Sequence, residues 1–174
     1  MKLLCAVLAL VLTGCGYSSA RLLPAQYQTI YIESFENAIP ITQEMNEKTG
    51  IFTNLPQLEE KVTRGVIDQF LFDGNLRVTN RPDEADLKMT AKLTDFYRQA
   101  IRHSDNEVVS EYRLNLTASL TLRDREGKIM LEDAITGDTT YFTSGSSSQA
   151  ESAAVDTLVR DFSRRVVEWV IEYW

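Results

Sequence analysis

The four residues Leu12-Thr13-Gly14-Cys15 place a thiol directly after a small residue, at the end of an apolar run from Leu3 to Leu12 that one lysine, Lys2, precedes. A run of that length is too short to span a hydrocarbon core but fits the apolar region of a secretory leader. The four residues therefore read as the cleavage box of a bacterial lipoprotein, and the chemistry expected is acylation of the Cys15 thiol. Residues 1–14 are then a leader, and Cys15 becomes the lipid-bearing first residue of the mature chain. Cleavage also removes Cys5, so no disulfide framework is left. Each acyl chain contributes roughly 0.8 kcal/mol per buried CH₂, which makes a multiply acylated cysteine a stable anchor without a transmembrane helix. The next residue is Gly16 rather than aspartate, which favours the outer membrane over retention at the inner one.

Other reactive groups are sparse. The single histidine, His103, sits between Arg102 and Ser104 in an expected hairpin turn. Ser104 and Asp105 follow it, but consecutive turn residues do not form a triad. Asp83, Glu84 and Asp86 lack the spacing and glycine of a calcium loop, and they read as a solvated turn. There is no glycine-rich phosphate loop, no Cys/His zinc spacing and no serine-nucleophile elbow. These readings give a binding or assembly protein with no catalytic residue, no metal and no cofactor beyond the covalent lipid on Cys15. A net charge of −7 argues against a duplex nucleic-acid partner. Against that acidic background, Lys88, Lys92, Arg98, Arg102, Arg113 and Arg123 fall on what should be one polar sheet face. Such cations can pair with phosphates, the arginines in bidentate fashion; the alternative is an ordinary solvated face whose charges blunt edge pairing.

The elements that would carry these residues follow from periodicity. Residues 15–27 read as a tether and 28–174 as one domain. Thr29 to Glu33 reads as a first strand, and residues 37–54 as a long loop, either a partner-binding loop or a variable insertion. A helix is expected from an N-cap near Asn54, with Pro56 in its first turn, a stripe of Leu58, Val62, Val66, Ile67, Phe70 and Leu71, and Gly74 as its stop. A short strand over 76–79 follows, and the brief link 80–86 suggests that the next strand runs back.

Leu87, Met89, Ala91, Leu93, Tyr97 and Ile101 alternate with polar residues, as do Val108 through Leu122. After the turn Asp124-Arg125-Glu126-Gly127, Ile129, Leu131, Ile135 and Tyr141 continue the one-sided pattern, with Gly137 a bulge or bend. Ser148-Gln149-Ala150-Glu151 matches a capping box for a last helix that buries Ala154, Val155, Leu158, Phe162, Val166, Trp169 and Tyr173. The expected fold is α+β: a two-layer sandwich of order β-α-β-β-β-α, with two helices on one face of a mostly antiparallel, mixed sheet.

Several short stretches together resemble the LptE family. They are Cys15-Gly16-Tyr17, Ile30-Tyr31-Ile32 leading into Phe35-Glu36-Asn37, Phe72-Asp73-Gly74, Glu84-Ala85-Asp86-Leu87, Glu111-Tyr112-Arg113-Leu114, and a terminal amphipathic helix ending in tryptophan. The resemblance implies an outer-membrane lipoprotein of the lipopolysaccharide translocon that inserts into an LptD-type β-barrel, helps it assemble and contacts lipopolysaccharide. It implies that the six cations listed above meet lipid A or core phosphates, and that the His103 turn projects into the barrel. A periplasm-facing lipoprotein that activates a cell-wall synthase or other envelope complex is the competing reading, and an envelope enzyme is a third for which the chain offers no residue.

Overall fold

The computed structural model describes residues 24–40, 55–103, 108–145, 148 and 150–174. The leader, Cys15, the tether up to residue 23, residues 41–54 with the expected cap Asn54, and the 104–107 turn lie outside them. In chain order the elements are β1 (Thr29–Ile32), β2 (Glu36–Asn37), α1 (Leu58–Asp73), β3 (Arg77–Val78), β4 (Leu87–His103), β5 (Val109–Asp124), β6 (Ile129–Phe142) and α2 (Glu151–Glu172), with a 3₁₀ turn at Pro82–Glu84. They form the expected two-layer α+β sandwich, with sheet order β3-β1-β4-β5-β6 and β2 continuing beside β4. β4, β5 and β6 are antiparallel, whereas β1, β2 and β3 pair in parallel.

The apolar residues of β5 alternate from Leu114 to Leu122, although Asn115 and Glu111 of the other face are also buried. Leu114, Leu116, Ala118, Leu120 and Leu122 are buried in the same core as Val62, Val66 and Phe70 of α1 and Leu158, Phe162 and Val166 of α2. Both helices thus cover one face of the sheet. Full burial of a side chain such as Phe70, Phe96 or Phe162 contributes about 1.5–3 kcal/mol.

α1 begins at Leu58 behind Gln57, which takes a left-handed conformation (φ 63°) and offers no side-chain cap, so Pro56 lies before the helix rather than within it. Gly74 ends it as expected, at φ 74° with its N–H on the Phe70 carbonyl. The buried stripe is Leu58, Val62, Val66 and Phe70; Leu71 is exposed, because it lies off the stripe that meets the sheet. The helices run side by side in the same direction, Lys61 pairing with Asp156 and Gly65 lying against Val159 and Ser163.

β4 does not run back against β1 and β3. It pairs in parallel with β1, Ile30 opposite Leu87, on the side away from β3. The short link suffices because β3 is only two residues long. The chain passes around the start of β1, where the Asp86 carboxylate accepts the N–H groups of Gln28 and Thr29 at 3.0 Å each and the Thr29 hydroxyl at 2.8 Å. A solvated carboxylate turn was expected here; Asp86 instead closes the open end of a strand, and Arg125 of the β5–β6 turn joins it at 2.9 Å.

Two further departures concern β4 and β6. Leu93 faces Ala118 but Asp95 faces Thr117, so Thr94 is an extra residue that reverses which positions point inward. Phe96 is therefore buried, and Tyr97 and Ile101 are not in the core. In β6, Gly137 pairs regularly with Leu116 rather than forming a bulge. Its role is close approach: a Cβ there would lie 2.6 Å from the Phe162 Cβ and 2.7 Å from the Phe162 Cα. The register slips between Leu122 and Arg123 instead, which leaves Ile129 exposed. At the last helix the expected buried row broadens to include Val159, Ser163, Val167, Val170 and Ile171, while Tyr173 at its end is exposed.

Candidate functional site

The sheet face opposite the helices carries Lys88, Lys92, Arg113 and Arg123, brought together as the alternation predicts, and Arg102, which a second extra residue at Ile101 returns to this face after the shift at Thr94. Lys88 faces Arg123 across β4 and β5, and Lys92 faces Ser119. The face is not a bare cationic surface, however. The Lys88 ammonium lies 3.8 Å from Glu33 and over the Tyr31 ring, and Lys92 pairs with Glu36 at 2.8 Å. Arg102 meets Glu111 at 3.4 Å and lies over Phe142, and Arg123 donates to the Gly127 carbonyl of its own hairpin. Arg113 makes no ion pair among the described residues. A shallow depression of about 450 Å³ near Lys92 is lined by Glu33, Glu36 and Glu132, so an anion entering it would meet more carboxylates than cations. The least compensated positive charge lies toward the far end of the hairpin, at Arg113.

Arg98 is not on this face. The extra residue at Thr94 turns it toward the helices, opposite Leu114. There its guanidinium holds Glu151 at 2.8 Å and lies 4.4 Å from the Tyr112 ring centre. The Tyr141 hydroxyl donates to the same Glu151 carboxylate at 3.0 Å, and Tyr112 and Tyr141 stack with centroids 5.7 Å apart. Burial works against the charge of Arg98, but its hydrogen bond with Tyr141 and the nearby Glu151 outweigh it and raise the guanidinium pKa. Burial, with the hydrogen bond and charge of Glu151, pushes the Tyr141 phenol up despite Arg98.

This cluster fastens the start of α2 to the sheet, and it explains why the expected capping box does not form. α2 starts at Glu151 behind Ala150, with no side-chain cap. Its carboxylate makes the stronger charge-assisted contact with Arg98 instead of reaching back along the chain. Sequence reasoning missed Tyr112, Tyr141 and Glu151 as a group, because they come from three elements that no spacing rule connects.

The Phe35-Glu36-Asn37 stretch acquires a role for each residue. Phe35 leaves the strand line and packs edge-on against Phe162, its N–H held by the Thr63 hydroxyl at 3.0 Å. Glu36 is the partner of Lys92, and the Asn37 amide donates to Glu59. His103 is exposed at the end of β4. Among the described residues, no three His, Cys, Asp or Glu side chains are grouped to hold a metal ion. No helix among them is long and apolar enough to cross a membrane.

Solved structures share this arrangement at low sequence identity. A Xanthomonas campestris protein of family DUF330 matches with a TM-score of 0.58 at 11% identity, covering 84% of this chain and 85% of its own. A hypothetical protein from Chlamydia trachomatis matches at 0.57 and 10% identity, covering 84% and 97%. An uncharacterised lipoprotein B from Nitrosomonas europaea matches at 0.52 and 13% identity, covering 91% and 88%. At these identities the likeness is one of fold. No curated protein matches the sequence. The model of the LptE lipopolysaccharide-assembly family matches residues 27–168, which takes in every strand and most of both helices. This chain therefore belongs to the LptE family, whose members are non-enzymatic lipopolysaccharide-assembly lipoproteins.

Proposed function

We propose that this chain is the lipoprotein subunit of an outer-membrane lipopolysaccharide translocon. Anchored through Cys15 on the periplasmic side of the outer membrane, it occupies the lumen of an LptD-type β-barrel, assists assembly of that barrel and contacts lipopolysaccharide in transit. The geometric support is the outer half of the β4–β5 hairpin. The last pair between β2 and β4 is Asn37 with Leu93, yet β4 and β5 stay paired as far as His103 and Val109. That extension ends in exposed Ile101 and Val108. β6 accompanies it as far as Phe142 opposite Glu111, and a three-stranded extension of this length with a polar open face suits insertion into a polar barrel interior.

Within this reading, Arg113 is the cation placed to meet lipopolysaccharide phosphates. Lys88, Lys92, Arg102 and Arg123 have partners on their own face, and Arg98 serves the fold. The test is purification of a tagged, membrane-extracted form in mild detergent. Co-purification of a large outer-membrane β-barrel is the expected result. Absence of a barrel would sink the proposal, and capture of a cell-wall synthase in its place would select the activator reading.

A further inference from the structure

We propose that the end of the domain nearest its tether is a lipid-contact surface that lays Leu71, Phe72 and Tyr173 against the headgroups of a zwitterionic bilayer. The proposal rests on the reading of Cys15 as the anchored residue. Large exposed hydrophobic side chains among the described residues are confined to the two ends of the molecule. Ile101 and Val108 are at the hairpin tip; Leu71, Phe72, Ile129 and Tyr173 are at the opposite end. Phe72 is 86% exposed, which no contact within the domain explains.

The second group surrounds the point where the chain arrives. Tyr27 packs against Trp174 at 5.0 Å, and Trp174 meets Tyr173 edge-on at the same distance. Gln28 lines one surface hollow with Gly74 and Asn75, just past Phe72, and Tyr27 lines another with the β5–β6 turn that precedes Ile129. Because the helices run in the same direction, both deliver their C-terminal ends here, with Phe72 and Tyr173 on neighbouring helices. Eight residues, 16–23, separate Cys15 from Pro24, and fully extended the nine steps between them reach at most ~32 Å. An anchored chain cannot carry this end far from the bilayer, and a ring of tyrosine, tryptophan and phenylalanine is the composition that settles at a membrane–water interface.

Charge selects the headgroup. Asp73 and Glu172 close the two helices, neither last turn contains a basic residue, and with Asp86, Asp124 and Glu126 near Tyr27 the carboxylates at this end outnumber Arg77 and Arg125. The negative ends of both helix dipoles add to those carboxylates. Such a surface repels anionic lipid and suits the outward ammonium of an ethanolamine or choline headgroup.

The test uses the chain from Cys15 to Trp174, coupled through the Cys15 thiol to a maleimide-bearing lipid in vesicles of phosphatidylethanolamine and phosphatidylcholine. Coupling makes the result independent of whether cells acylate Cys15, which mass spectrometry of the membrane-extracted protein decides separately. In a Trp169→Phe background Trp174 is the only tryptophan, and brominated acyl chains should quench it. Leu71→Asp with Phe72→Asp should lower that quenching ~twofold or more while leaving the far-ultraviolet circular dichroism unchanged. Absence of quenching in the coupled parent, as for a surface that docks protein instead, or equal quenching in the double variant, would overturn the proposal. Quenching that rises when phosphatidylglycerol is added would overturn the choice of headgroup.

Discussion

Replacing Gly137 by alanine should be far more damaging than one methyl group suggests. The added Cβ would sit 2.6 Å from the Phe162 Cβ, 2.7 Å from its Cα and 2.9 Å from its backbone nitrogen. Two of those atoms are backbone in the middle of α2, so no rotamer change can relieve the contact; the helix must lift from β6. Overpacking a well-filled core typically costs 1–3 kcal/mol, and a clash with backbone belongs at the top, about 3 kcal/mol. For a chain of this size about 1 kcal/mol shifts Tm by roughly 2–4 °C, so Gly137→Ala should lower Tm by about 6–12 °C.

Gly65→Ala is the matched comparison, because the atoms its Cβ would crowd belong to side chains, Val159 Cγ1 at 2.6 Å and Ser163 Oγ at 2.9 Å, with backbone no nearer than 3.9 Å. Alanine also gains about 1 kcal/mol of helix propensity over glycine, so that variant should lose only about 1 kcal/mol. Shortening Phe162 to alanine should not rescue Gly137→Ala, since the Cα and nitrogen in the way remain. Urea unfolding of the three variants measures all of this. A Gly137→Ala loss within about 0.5 kcal/mol of the parent, or no larger than that of Gly65→Ala, would refute the reasoning.

The remaining predictions concern charge and anchoring. Burial raises the pKa of Asp86, but the Gln28 and Thr29 donors and Arg125 outweigh it and hold the carboxyl below its usual value. A depressed folded pKa means that its stabilisation is present above the unfolded value and lost as pH falls through the folded one. Stability should thus decline below about pH 4, and Asp86→Asn should flatten that acid limb while costing about 1–2 kcal/mol at neutral pH, as read from urea midpoints. Arg98→Ala should lower stability by about 1–2 kcal/mol with lipopolysaccharide binding unchanged, whereas Arg113→Glu should weaken salt-sensitive lipopolysaccharide binding with Tm nearly unchanged. Calorimetry and binding titrations at two salt concentrations separate the pair, and the opposite pattern would reverse the assignment of faces. Tyr141→Phe leaves the Arg98–Glu151 contact in place and should cost about 1 kcal/mol in the same unfolding assay. Cys15→Ala should remove the acyl mass from the membrane-extracted protein, as read by mass spectrometry, while binding to the barrel persists.

The elements that read correctly from sequence are those whose signal is local. β5 alternates its apolar residues from Leu114 to Leu122, α1 repeats its apolar residues at helical spacing, and Gly74 and Gly127 stand where a positive φ is needed. What escaped depends on distant partners. Thr94 carries no mark of being an extra residue, since threonine suits a regular strand equally well, and its role shows only against β5. The parallel placement of β4 depends on β3 being too short to need a crossover, and β3 is short because only Arg77 and Val78 find partners on β1. Gly137 looked like a bend because its need for a bare Cα comes from Phe162, twenty-five residues later. Among the expected site residues the same distinction holds: Lys88 and Lys92, before Thr94, face as alternation says, and Arg98, after it, does not.

That inserted threonine works as a parity switch for the distal strand. Shortening β4 by deleting Thr94 would leave the amino-acid composition of the hairpin almost untouched, yet it would aim Tyr97 at the helices and swing the Arg98 guanidinium outward, stranding Glu151 beneath. The sign of the potential along the hairpin's outer half is thus governed by a count of residues as much as by their identity. A homologue one residue shorter in this strand would need its arginine moved by one place to keep the same surface.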